Sequence, residues 1–257
     1  MNHRQNYPDP PDGTIYLTTS GSQLYGTNLD DTDRDEMGVY VEHPSYVTGL
    51  RSAANVVQRS QPDGTRSGTG DLDRQVYGLR KFARLAAQGN PTVLLLLFVP
   101  DKHRIIETEQ SRLLLEGTNL FVSKQAGHRF LGYLDSQREQ LLRRSGSKHT
   151  NRPELIEQYG YDTKFAYHAL RLGLQGIELM RTGSLRLPMS AEHCEWLLGI
   201  RRGGATFDEV SRWLTGLRFG LEYEITRTTL PDDPDWQSIN DLCHRLYISA
   251  WRERGVL

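Results

Sequence analysis

The chain has 257 residues, 37% hydrophobic and 25% charged, with 31 basic side chains against 32 acidic ones and a net charge of −1. That balance excludes a strongly basic nucleic-acid-coating protein but not a local basic groove. Two cysteines, Cys194 and Cys243, exclude a disulfide framework, and the long apolar run at residues 93–99 is far too short to span a bilayer.

In chain order, the polar, proline-bearing opening segment carries no charged-then-apolar signal, which with the cysteine usage points to a reducing cytoplasm and no membrane. Residues 14–19, rich in β-branched and aromatic side chains, read as a short strand. Ser20, Gly21 and Ser22 end it in a tight turn, where Gly21 allows close backbone approach, and a short helix opens at residues 23–25. The N–H groups of such a turn suit a phosphate. An acidic segment follows, Asp30, Asp31, Asp33 and Asp35, and residues 37–41 continue it as a strand. Alternation along a strand puts Asp33 and Asp35 on one face, where two carboxylates repel unless a pKa shifts or a divalent cation sits between them. The bland alternative is a surface turn and an acidic loop.

Residues 51–66 are polar and read as including a loop, and residues 68–77 as a strand leading into a helix at about 79–88. Gly89, Asn90 and Pro91 stop that helix, and residues 92–98 read as a fully buried strand. From residue 107 the periodicity is helical, with helices expected at 107–116, 123–142, 153–181, 191–200, 207–223 and 235–254. Thr206 or Asp208 is placed to cap the helix at 207, and residues 145–151 are the clearest loop. Basic residues cluster at Arg138, Arg143, Arg144, Lys148 and Arg152, and again at Arg201 and Arg202, both groups reading as solvated surface. Lys164, His168 and Arg171 stand at i, i+4 and i+7, a stripe able to grip a triphosphate or a phosphorylated acceptor, with Tyr161 ahead of them to stack on a base or pack locally. The alternatives for the stripe are a solvated face or a quietly bonded core histidine. His128, His149 and His193 lack metal-ligand spacing, while Arg80 and Lys81 suit either a phosphate or an ordinary helix surface.

Gly21-Ser22, Tyr25-Gly26-Thr27 and Thr32-Asp33-Arg34-Asp35 with Gly38-Val39 together resemble the active-site signature of the DNA polymerase β-like nucleotidyltransferase superfamily. Within it the chain is similar to the RNA-ligase-associated nucleotidyltransferases of bacteria and phages, through Tyr77-Gly-Leu-Arg-Lys-Phe82, Gln88-Gly-Asn-Pro91 and residues 160–172. The resemblance implies an α+β fold: a mixed sheet with flanking helices over residues 1–105, followed by a helical region, 106–257, completing the nucleotide and acceptor cleft. It implies transfer of a nucleoside monophosphate from an NTP, ATP being the expected one, to a hydroxyl or phosphate of an RNA end, a protein or a small molecule. Two magnesium ions, or manganese in their place, would be held by about three carboxylates. Asp33 and Asp35 are the paired ligands, with Asp73 the first choice for the third acid and Asp71 the fallback. Gly21, Ser22, Tyr161, Lys164, His168 and Arg171 are the expected nucleotide contacts. Two departures stand out: relatives often carry an apolar residue where this chain has Arg34, and a glutamate where it has Leu95. The competing reading is a catalytically inactive NTP- or RNA-binding partner of a repair complex. The oligomeric state is left open.

Overall fold

The computed structural model describes residues 7–29, 33–62, 65, 68–144 and 152–257. Asp30, Asp31 and Thr32, Lys148, His149 and the expected loop at 145–151 therefore lie outside the described residues, as do the side chains of Arg143 and Arg144. The elements run β1 (Thr14–Thr19), α1 (Gly21–Tyr25), β2 (Arg34–Tyr40), α2 (Pro44–Thr48), β3 (Val56–Arg59), β4 (Leu72–Gly78), α3 (Leu79–Ala87), α4 (Pro91–Leu94), two short 3₁₀ turns, β5 (Arg104–Glu107), α5 (Glu109–Glu116), α6 (Thr118–Phe121), α7 (Lys124–Arg144), α8 (Pro153–Tyr159), α9 (Thr163–Thr182), α10 (Ala191–Arg201), α11 (Phe207–Arg227) and α12 (Trp236–Glu253). The fold is α+β, a mixed five-stranded sheet with flanking helices.

The chain divides into two compact units, one of residues 1–85, 95–120 and 235–257, the other of 86–94 and 121–234. This division differs from a single break at residue 105, because the last helix belongs to the sheet-bearing unit. The sheet has the order β3-β4-β2-β1-β5, with β2 and β4 parallel and the other pairs antiparallel. Between β2 and β4 the chain makes β3, so the parallel pair is joined through a strand on the far edge. The loop expected at 51–66 thus contains β3, whose four residues alternate half-buried and exposed, too short a run to stand out by periodicity. In the same unit Tyr247 donates to Glu42 Oε2 at 2.7 Å and Trp251 Nε1 donates to the Glu42 carbonyl at 2.8 Å, which fastens α12 just beyond the end of β2.

The second unit is helical, built on contacts among α7, α9, α10 and α11. Its core includes Tyr161, Tyr167, Leu170, Leu197 and Leu214. The helix expected at 153–181 is two helices. Gly160 takes φ 78°, a left-handed conformation that glycine adopts without a Cβ clash, and ends α8; Asp162 then caps α9 by accepting from the Phe165 N–H at 2.9 Å. Thr206, rather than Asp208, caps α11, with Glu209 reaching back to complete a capping box.

The strand expected at 92–98 is a correction: the segment forms α4 followed by a 3₁₀ turn. Asn90 Oδ1 accepts from the Thr92 and Val93 N–H groups at 3.1 and 3.2 Å, and Pro91 occupies the first helical position, where its missing N–H costs nothing. Residues 93–97, Leu95 included, are buried as expected, whereas Thr92 is exposed and Phe98 half-buried, so burial was largely legible while the backbone form was not.

Candidate functional site

At the leading end of the parallel pair, β2 and β4 align Asp35 with Asp73, and β3 and β4 align Arg59 with Asp73. Arg59, Asp73 and Asp35 therefore form a row across three neighbouring strands, with side chains on one face and strands about 4.8 Å apart. Arg59 Nε lies 3.5 Å from Asp73 Oδ2, and both side chains are partly exposed. β1 continues the row: the Ser20 N–H donates to the Asp35 carbonyl at 2.9 Å. Gly21, at φ +63°, comes next, and a Cβ built on it would lie 2.0 Å from Asp35 Oδ2. The close approach that requires glycine here is to the Asp35 carboxylate itself. Ser22 is half-buried in α1, and its carbonyl accepts from the Thr27 N–H at 2.9 Å. Asp33 stands immediately before β2, half-buried, its carbonyl near Gln23 Nε2 at 3.5 Å.

Asp71 is occupied elsewhere. Its carboxylate accepts from the Ser60 hydroxyl at 3.0 Å and the Gly68 N–H at 2.8 Å, closing the turn ahead of β4. Register thus separates the two candidate third acids: Asp73 sits in the row with Asp35, whereas Asp71 serves the turn.

The other face of the same strands explains Arg34. Glu36, 1% exposed, accepts from Arg34 Nε and, at 2.6 Å, from Arg74 Nε, its register partner on β4. Arg74 also donates to the Pro8 carbonyl and to Gln58 Oε1. The charged residue between the paired acids is the exposed one of two arginines that serve buried Glu36 on the far face, a requirement invisible in the local sequence.

Divalent cations such as magnesium take hard oxygen donors, and the carboxylates of Asp35 and Asp73 in register supply that chemistry. Gly21 adds to the fit, since its missing Cβ leaves the space in which the Asp35 carboxylate lies. Among the described residues, however, no three His, Cys, Asp or Glu side chains are already gathered as a cation site. The residues that could hold a cation are Asp35 and Asp73, which strand register aligns, and Asp33, two positions before Asp35.

The basic stripe lies in the helical unit. Tyr161 is fully buried; its hydroxyl donates to the Ala205 carbonyl at 2.8 Å and its ring packs at 6.1 Å from Phe207. It packs locally, the second of its two expected roles, and presents no ring face to a base. Lys164 and His168 are half-buried and Arg171 is 7% exposed, so the stripe is not a solvated face. Arg171 donates to Gln175 Oε1 at 2.6 Å. His168 is held well below its usual range, chiefly by burial and then by the positive charges of Arg171, Lys164, Arg152 and Arg201. The His168 ring lies 5.0 Å from the Tyr167 ring, over which the Arg201 guanidinium sits at 5.3 Å. Arg152 reaches the buried Asp162 carboxylate at 3.5 Å. Arg152 and Arg201, which sequence reasoning assigned to the solvated surface, are half-buried, Arg152 beside Asp162 and Arg201 over the Tyr167 ring. Only the clustering of basic residues in the sequence pointed to either.

No helix among the described residues is long and apolar enough to cross a membrane. Comparison with curated proteins found no match. Among solved structures, the chain is similar to a nucleotidyltransferase-like protein from Exiguobacterium sibiricum, at 12% identity and a TM-score of 0.29 over 94% of this chain and 75% of that one. The sequence pattern of the RNA repair pathway DNA polymerase beta family matches residues 3–245. Matched over nearly its whole length, the chain belongs to that family.

Proposed function

We propose that the chain is a metal-dependent nucleotidyltransferase that moves a nucleoside monophosphate from an NTP, ATP first among them, to the end of an RNA acceptor. The acceptor oxygen would bond to the α-phosphorus as the α–β anhydride bond breaks; its proton passes to a carboxylate or to water, and pyrophosphate leaves. Cations bound by Asp33, Asp35 and Asp73 would neutralise the charge that develops on the phosphoryl oxygens. Asp35 and Asp73 hold their places through strand register, and Gly21 leaves room for the Asp35 carboxylate. Lys164, His168 and Arg171, spaced as one stripe on α9, would meet a phosphate group of nucleotide or acceptor. The observation that carries this reading is the alignment of Asp35 with Asp73 in a chain of this family. Protein and small-molecule acceptors are the other arms of the same test.

A second reading is favoured by the ion pair of Arg59 with Asp73 and by the lack of a ready three-acid group among the described residues. In that reading the chain binds nucleotide or RNA without turning it over, as a partner in a repair complex. Incubation with each labelled NTP, magnesium and pooled RNA or protein separates the two. Transfer abolished by Asp35→Asn supports the enzyme, and nucleotide binding without transfer under any divalent cation supports the partner.

A further inference from the structure

Beyond the trailing end of the parallel strands, the sheet-bearing unit carries two adjoining hollows of about 390 and 350 Å³. Glu42, Tyr46, Ser52 and Ala53 line both, so the two form one trough with Tyr46 at its middle. Arg80, Lys81 and Arg84, all exposed on α3, line one end of it. Residues at i and i+4 on a helix stand side by side, so these cations form a short row rather than a scattered set. Arg80 also donates to the Val47 carbonyl at 3.0 Å, which ties the row to the helix carrying Tyr46. Among the described residues no carboxylate pairs with Lys81 or Arg84. Of the two acids that line the trough, Glu42 is buried and accepts from the Tyr247 hydroxyl and the Leu79 N–H, and Asp12, in the second hollow, pairs with Arg254. Tyr46 is 40% exposed, an aromatic surface beside three exposed cations. Tyr40, at the end of β2, is five residues beyond Asp35, about 17 Å along a strand, so the trough is separate from the carboxylate row.

We infer that this trough binds single-stranded RNA, with a base stacked on Tyr46 and backbone phosphates on Lys81, Arg84 and Arg80. Bases of any identity stack on an exposed aromatic ring, and a row of cations tracks a chain of phosphates, which together make a sequence-tolerant single-strand site. A trough of two joined hollows suits several linked nucleotides better than one free nucleotide. The inference rests on the proposed transferase only for its biological sense: the trough would hold the acceptor strand at a distance from the acids.

The test is fluorescence anisotropy of a labelled single-stranded RNA 12-mer titrated with the full chain in the presence of a chelator, so that neither metal nor turnover is required. Wild type is expected to bind, with affinity falling as salt rises. Lys81→Glu with Arg84→Glu should weaken binding at least about tenfold and reduce the magnitude of the log–log salt slope by ~1.4, from two phosphate contacts on a single strand. Tyr46→Ala should weaken it between about 5- and 150-fold, the range for loss of one stacked base. Asp35→Asn should leave RNA binding unchanged while abolishing transfer, which keeps failure of this inference distinct from failure of the transferase reading. Circular dichroism checks that the variants fold, and Lys81→Gln with Arg84→Gln, expected to give a smaller loss, guards against a charge-reversal artefact. Wild-type binding undiminished in both the charge-reversal and Tyr46 variants would overturn the inference. So would capture of free ATP or inorganic phosphate with no affinity for the 12-mer.

Discussion

Asp35 and Asp73 face each other across the parallel β2–β4 pair, while one residue further along Glu36 and Arg74 face each other on the opposite side of the same strands. A single register thus serves two purposes. On one face it brings like charges together, an arrangement that costs free energy unless a cation intervenes. On the other it buries an ion pair within hydrogen-bond distance. Slipping the register by one residue would exchange the faces and bury the carboxylates.

The burial of Glu36 makes a first prediction. Arg74→Leu leaves a 1%-exposed carboxylate with Arg34 as its remaining ion-pair partner and should destabilise the fold by about 3–5 kcal/mol, the usual cost of breaking a buried pair from one side. Arg74→Leu with Glu36→Leu should recover much of that loss. Urea unfolding of both variants measures the difference.

Gly21 makes a second. Alanine there meets both the left-handed backbone and Asp35 Oδ2, so Gly21→Ala should cost about 1–3 kcal/mol in stability and displace the carboxylate. Transfer activity should fall at least about a hundredfold in protein that still melts cooperatively, since a small displacement of a reacting group is costly. A thermal melt and a transfer assay on the same sample check both parts.

The Arg59–Asp73 pair makes a third. Removing the competing cation with Arg59→Gln should tighten calcium or magnesium binding by up to about fivefold, the scale of a partly exposed ion pair. Calorimetric titration of the metal reads this directly, and a weaker affinity in the variant would contradict Asp73 as a ligand.

His168 makes a fourth, in pH. Its folded-state pKa is lowered from 6.5 by burial and by the surrounding cations, so the folded ring resists a proton that the unfolded chain accepts. Stability from this group is therefore present above pH 6.5 and is lost as pH falls below it, until the lowered folded value is reached. Urea midpoints measured from pH 7.5 to 5 should decline for wild type and decline less for His168→Gln. Pyrophosphate, if it binds beside His168, should flatten the wild-type decline.

The strand at 14–19, the helix stop at Gly89 and most of the C-terminal helices were legible because they depend on local residues: β-branched runs, capping side chains and apolar spacing. The sequence already put Asp73 ahead of Asp71; register, a property of two strands, adds that Asp73 lies beside Asp35 while Asp71 closes a turn. Arg34 looked anomalous for the same reason, since its partner Glu36 is shared with Arg74, 38 positions away from that glutamate. The run at 92–98 misled because a short apolar stretch buries equally well as strand or helix, and Asn90 with Pro91 decided in favour of helix. Tyr161 lies in the short link between α8 and α9, and its burial is a tertiary fact that the local sequence does not display.

The central claim is that the paired aspartates support phosphoryl chemistry. The most direct measurement follows label from α-phosphate-labelled ATP onto single-stranded RNA with magnesium, comparing wild type with Asp33→Ala combined with Asp35→Ala. The account predicts transfer by wild type with stoichiometric pyrophosphate, reduced at least about a thousandfold in the folded double variant. Transfer that persists undiminished in the variant, or no transfer by wild type with any NTP and any acceptor, would contradict it.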